Sequence, residues 1–395
     1  MDSRLRIIVT GMVGLFPVGG VAWDYLQYMV GFSKLGHDVY YYEDTWRWPY
    51  HPIENQYTPD GKYSAKYIKN FFELYAPELI SKWHYLHMKE KSFGMKRDEF
   101  NEVAMAADLF INISGASFIP DNLSGCCIKV FIDTDPGYNQ IMLSERFPWS
   151  ANIERWCEIV DEHDEHFTYA ENIHSEDCLI PKLDFKWKTT RMPIVMDFWK
   201  PLAHDLASEN APWTTVMTWN DFKGKLIYNG VEYKSKGSEF DKIIKLPLYI
   251  SKPILIAVGG VNSPIKLLEY YGWNVKDGPK TTLTPKLYQD FIAGSRGEIS
   301  IAKHVYVAMR SGWFSCRSAC YLAAGHPVVV QDTGFSSVLP VGEGILPFST
   351  IEEAVEAIHD VNGNHPKHSK AAREIAGEYF DSDKVLTRLI EEAMN

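Results

Sequence analysis

A chain of 395 residues is long for one hydrophobic core and predicts two domains. Its 46% hydrophobic and 23% charged content is that of a folded globular protein, which excludes a disordered chain. A net charge of −11, from 40 Lys+Arg against 51 Asp+Glu and without any basic run, argues against DNA or RNA as the main partner.

No stretch approaches the roughly 18–20 apolar residues that span a bilayer, and Met1-Asp-Ser-Arg-Leu-Arg carries no signal-peptide pattern. Cys126, Cys127, Cys157, Cys178, Cys316 and Cys320 form no Cys-x-x-Cys pair and no zinc spacing with His, so a reduced cytoplasmic protein is expected.

Residues 6–11 read as a strand entering the loop Gly11-Met-Val-Gly-Leu-Phe-Pro-Val-Gly-Gly20. A helix over 21–35 and a strand over 38–43 complete a βαβ unit, the setting in which open α/β sheets bind ligands. Residues 45–90, rich in Tyr, Trp and His, show helical periodicity only over 62–75 and read as an insertion walling a cleft, or as an aromatic packing layer. A helix over 98–107 and strands over 108–113 and 129–132 follow. The second strand ends in Asp133-Thr-Asp-Pro-Gly137, where a carboxylate serves as a base or simply caps the turn.

A helix over 153–162 leads to His163-Asp-Glu-His166, with His166 opening a strand. Its spacing fits no familiar metal site, and His166 is an acid–base or orienting candidate. Residues 197–212 read as a linker. Strands over 213–218, 254–260, 272–275 and 296–301 and a helix over 284–292 follow, then Lys303, His304 and Arg310.

Ser311-Gly-Trp-Phe-Ser-Cys-Arg317 then opens a helix with Ser315 as its N-cap, Gly325 at its left-handed C-terminus, and Val328-Val-Val330 as a buried strand. The start of such a helix is a natural anion site, and Arg317 either adds a charged fork for phosphate or is solvated. Helices over 352–358, 368–379 and 383–394 close the chain, the last capped by Asp381 or Ser382.

Gly20-Val-Ala-Trp-Asp-Tyr-Leu26 with Leu35-Gly-His-Asp-Val39 resembles the N-terminal opening of GT-B glycosyltransferases. Tyr321-Leu-Ala-Ala-Gly-His-Pro-Val-Val-Val330 resembles their donor segment, and Gly342-Glu-Gly-Ile-Leu346 with Glu352-Glu-Ala354 the tail of that domain. The resemblance covers the two ends of the chain well and the middle poorly. The Arg317-to-Gly325 spacing is similar to a family 4-like, spore-protein-like branch, although Gly312 and Cys320 stand where many relatives carry paired glutamates.

The resemblance implies an α/β protein of GT-B architecture, two Rossmann-like domains facing each other across a cleft. Expected divisions are an acceptor domain over 1–205, a donor domain over 206–380 and a C-terminal helix over 381–395 returning to the first domain. It implies a nucleotide-sugar donor, a small-molecule or glycan acceptor, no catalytic metal and no further cofactor. The expected donor clamp is Arg296, Lys303, Ser311, Gly312, Trp313, Phe314, Ser315 and Arg317, with Gly19 and Gly20 approaching the diphosphate or sugar from the other domain. Asp135, ahead of His166, is the expected base or acceptor-orienting group. Three other readings stay open: an epimerase on the same plan, an NAD-dependent enzyme using Gly11, Gly14 and Glu43, and a non-catalytic nucleotide- or glycan-binding protein.

Overall fold

The computed structural model describes residues 4–145, 151–200, 210–219, 226–260 and 262–395. Most of the expected linker, and the expected boundary at 205/206, lie outside the described residues.

The β-branched run Ile7-Ile-Val-Thr10 makes β1 (Arg6–Thr10), which pairs in parallel with β2 (Asp38–Glu43) around α1 (Gly19–Lys34). A short ribbon, β3 (Tyr50–His51) with β4 (Gln56–Tyr57), precedes α2 (Lys62–Tyr75), β5 (Trp83–His87) and β6 (Lys91–Gly94). Then come α3 (Arg97–Met105), β7 (Leu109–Ile113), β8 (Ile128–Asp133), α4 (Tyr138–Glu145), α5 (Ala151–Asp161), β9 (Glu165–Thr168) and β10 (Lys188–Thr189). The first sheet has the order β10-β9-β8-β7-β1-β2-β5-β6, parallel except for β6. Residues 45–90 are therefore not an insertion: they add β5 beside β2 and lead into β6. Trp83-His-Tyr-Leu-His87 lacks the β-branched run that marks a buried strand, and only its burial beside β2 reveals it.

The second half begins with β11 (Trp213–Thr218), a hairpin of β12 (Leu226–Tyr228) and β13 (Val231–Tyr233), and α6 (Lys236–Phe240). It continues through β14 (Ile254–Gly259), α7 (Ile265–Tyr270), β15 (Asn274–Asp277), α8 (Gly278–Thr281), α9 (Pro285–Ala293), β16 (Gly297–Ser300), α10 (His304–Ala308) and α11 (Cys316–Ala323). After β17 (Val328–Gln331) and β18 (Ile345–Phe348), the helices α12 (Ile351–Gly363), α13 (His365–Ile375) and α14 (Ser382–Met394) end the chain. This sheet is parallel in the order β15-β14-β11-β16-β17-β18.

Helix α14 leaves the second half and lies on α1, where a Cβ at Gly31 would stand 2.5 Å from Leu386 Cδ1. The crossing is stitched by backbone: Ile194 N–H donates to the Phe380 carbonyl at 2.7 Å and Ser382 N–H to the Ile194 carbonyl at 2.9 Å. One apolar cluster runs from β1 and α1 through Tyr288 to α11 and α14, so the halves share a core along α1. Among the described residues, no helix is long and apolar enough to cross a membrane.

Candidate active site

Parallel strands put their loops at the C-terminal edge, where open α/β sheets hold ligands. Here those edges meet: the loop after β8 touches that after β16, the loop after β9 touches that after β17, and the amino end of α1 touches the segment before α9.

The loop after β1 is locked from below by Glu43. Its buried carboxylate accepts from the Gly14 and Leu15 amides, both at 2.7 Å, and from the Tyr41 hydroxyl at 2.6 Å. Burial pushes Glu43 up to about 7 against the pull of these donors. Glu43 is thus spent on the loop itself and does not face a ribose. Gly19 and Gly20 need correction too. The Gly19 amide donates to the Thr282 carbonyl at 2.8 Å, and a Cβ there would stand 2.3 Å from the Thr284 carbonyl oxygen. Gly20 faces the Tyr288 ring. Both glycines let α1 approach the other half of the protein rather than a diphosphate.

Asp133 and Asp135 divide the two roles open to them. Asp133 is buried and accepts from Asn139, Gln140 and Thr168 side chains at 2.6–2.7 Å, which makes it the structural cap of its turn. Burial raises it to about 6 despite those donors. Asp135 reaches across the crevice. Its carboxylate meets Lys303 Nζ at 2.5 Å and accepts from the Tyr306 hydroxyl. Burial would raise its pKa, but the Lys303 charge and the Lys303 and Tyr306 hydrogen bonds outweigh burial and hold it below the usual carboxylate value. Asp135 and Lys303 are brought together as expected of crevice residues, yet so acidic a group is a weak proton acceptor.

His166 is not at this edge. Its Nε2 lies 3.0 Å from the Val160 carbonyl and its ring packs 4.2 Å from Phe185 and beside Trp187, with burial lowering its pKa. It is a core histidine under α5. Among the described residues no group of three His, Cys, Asp or Glu gathers as a metal set.

The segment before α11 divides as well. Ser311 is buried, its Oγ accepting from the Trp313 amide at 3.2 Å, and the Asn172 amide donates to its carbonyl. Gly312 has φ +77°, and a Cβ would stand 2.5 Å from the Asn172 nitrogen, so the glycine serves close contact between the halves. The Trp313 ring lies 4.5 Å from that of Tyr306, tilted by 40°, with its indole Nε1 buried and unpartnered. Phe314 is core, against Phe335 and Phe380. Ser315 holds the N-cap position, but its side chain accepts no capping bond.

Arg317 departs furthest from expectation. Its Nε meets the fully buried Glu298 at 2.5 Å, Nη1 donates to the Val216 carbonyl at 2.6 Å, and Nη2 donates to Ser300. It is no free phosphate fork; it ties α11 to β11 and β16. Arg296 is displaced to the opposite edge of the sheet, just before β16, and holds Asn362 at 2.6 Å.

Asp24, which sequence reasoning passed over, faces the seam. It is the lone acid in α1, between the buried rings of Trp23 and Tyr25. It shares a helix face with Gly20 against Tyr288 and with Gln27, whose amide donates to Cys320 Sγ at 3.7 Å. Among the described residues it has no hydrogen-bond or ion-pair partner. Burial raises its pKa to about 7, tempered by the charge of Arg317. An acid inside an apolar helix face was the available signal.

No protein-family model and no curated protein matches the sequence. Solved structures do. An α-glucosyltransferase in complex with UDP and a 13-mer DNA is similar over 100% of both chains, at 14% identity and TM-score 0.62. Anabaena HepE in complex with UDP and glucose is similar over 99% of this chain and 100% of that one, at 11% identity and TM-score 0.57. The catalytic domain of starch synthase IV from Arabidopsis thaliana, bound to ADP and acarbose, is similar over 99% of each chain, at 11% identity and TM-score 0.54. With two parallel sheets meeting edge to edge and this likeness along its whole length, the chain has the GT-B fold of these glycosyltransferases.

Proposed function

We propose that the protein transfers a glycosyl group from a nucleoside-diphosphate sugar to an acceptor hydroxyl, without a catalytic metal. The observation that carries this reading is Lys303 at the seam, ion-paired with Asp135 from the first half and at the N-cap position of α10, on a fold shared with solved glycosyltransferases in complex with UDP or ADP. As the sugar–phosphate bond breaks, negative charge grows on the leaving diphosphate, and a cation with helix-end amides stabilises it. Lys303 exchanges Asp135 for phosphate oxygen in this scheme. Asp24, with a pKa of about 7, is better matched than Asp135 to accept the acceptor's proton near neutrality.

The test is a thermal-shift screen with UDP, GDP, dTDP, ADP and their sugar conjugates, using NAD as control. A ligand at a hundred times its Kd stabilises the folded state by about 2.7 kcal/mol, so modest affinity registers. One nucleotide should raise Tm, less so in Lys303→Ala, and transfer should survive EDTA. A shift with NAD and with no nucleotide diphosphate overturns the reading.

A further inference from the structure

At the C-terminal edge of the first sheet, away from the seam, separate segments bring aromatic rings and cations to one surface. The loop after β2 exposes Trp46 by 54% and Trp48 by 51%, with Arg47 between them. The loop after β7 adds Phe118, whose ring meets Trp46 edge-on at 6.1 Å. In the three-residue turn between β5 and β6, Met88-Lys-Glu90, Met88 and Lys89 both have positive φ, and Lys89 Nζ lies 4.8 Å from the Trp46 ring and 4.4 Å from Phe118. Arg47 lies over Phe16 of the loop after β1 at 5.9 Å. Among the described residues Arg47 has no anionic hydrogen-bond or ion-pair partner, and the Lys89 charge acts on the buried Asp44 carboxylate without a direct ion pair.

Two details mark the surface as more than exposed residues. Trp46 has φ +45°, a left-handed backbone that costs a bulky residue of order 1–3 kcal/mol, and its ring stays half exposed instead of recovering that cost by burial. Beneath it Asp44 is buried with Oδ1 unpartnered, an acceptor for a hydroxyl donor.

Resting on the transferase reading above, we infer that this surface binds the acceptor and that the acceptor is an acidic oligosaccharide. Exposed indole faces take the C–H faces of sugar rings, Asp44 accepts sugar hydroxyls, and Arg47 and Lys89 meet a carboxylate or phosphate substituent. A nucleic acid fits less well: its regular phosphates need a continuous cationic track, whereas Arg47 and Lys89 are separate cations on a chain of net charge −11.

Calorimetric titration of the full chain with oligogalacturonate, maltohexaose and oligothymidylate tests this, in wild type and in Trp46→Ala, Trp48→Ala and Arg47→Ala/Lys89→Ala. Oligogalacturonate should bind about tenfold more tightly than maltohexaose, a difference of about 1.4 kcal/mol. Each Trp variant should weaken it severalfold, and the double variant should abolish the preference for the acidic chain. The nucleotide-induced Tm shift should be the same in all of these proteins. Equal affinity for acidic and neutral chains, tighter oligothymidylate, or unchanged binding in the Trp variants overturns the inference. A wild type that binds oligogalacturonate but no nucleotide sinks the transferase reading and leaves the surface standing.

Discussion

Arg317 shows how far a single residue's role depends on its partners. A guanidinium in the first turn of a helix suits an anion, but here β16 places Glu298 beneath it and β11 places the Val216 carbonyl beside it. Arg317→Ala leaves Glu298 charged, buried and alone, which costs about 3–5 kcal/mol in urea denaturation. Nucleotide affinity of the folded variant should change little. Asp24 carries the opposite expectation. Its folded pKa lies above its unfolded value, so the folded chain binds the extra proton between about pH 4 and 7 and stability falls as pH rises through that window. Asp24→Asn should therefore flatten the decline in Tm over pH 4–7 and raise Tm at neutral pH, while lowering kcat by about 10²–10⁴ if Asp24 is the base. An unchanged pH profile would place its carboxyl in solvent.

Among the elements, α1 does most to position the crevice. Its amino end lies against Thr282–Thr284, Trp23 Nε1 donates to the Pro285 carbonyl at 2.9 Å, and Gln27 reaches both Cys320 and the Val195 amide. Gly19→Ala would push a methyl group into the Thr284 carbonyl and force the halves apart. We expect a loss of about 1–3 kcal/mol and a lower kcat, with far-ultraviolet circular dichroism unchanged. The elements themselves were largely legible: β2, α2 and β11 fall where periodicity and glycine punctuation put them. β5 was not, because an aromatic and histidine run carries no strand signature until β2 lies beside it.

Across the whole molecule, the shared core and α14 join the two sheets. Leu386 is fully buried where α14 meets α1, although it follows the second half in sequence. Leu386→Ala should cost about 2–5 kcal/mol, and because α14 belongs to both halves, calorimetry should show the whole chain shifting in one transition. A variant in which only one of two transitions moves would show halves that unfold independently.

The sequence by itself determined the α/β class, the two-part plan and most of the strand and helix order. Those follow from local periodicity, β-branched runs and glycine or proline breaks, all properties of neighbouring residues. It also placed Asp135 at a strand end, where the crevice opens, and Lys303 in the basic cluster ahead of the Ser311–Arg317 segment. Only the tertiary structure decided that Arg317 is consumed by Glu298, that His166 turns under α5, and that Gly19 and Gly312 serve contact between halves. Each of those outcomes depends on a partner distant along the chain, 19 residues away for Glu298 and more than 260 for the Thr282 carbonyl that receives the Gly19 amide. Side-chain pairing across such distances is fixed by how sheets and helices stack, and no local pattern encodes it.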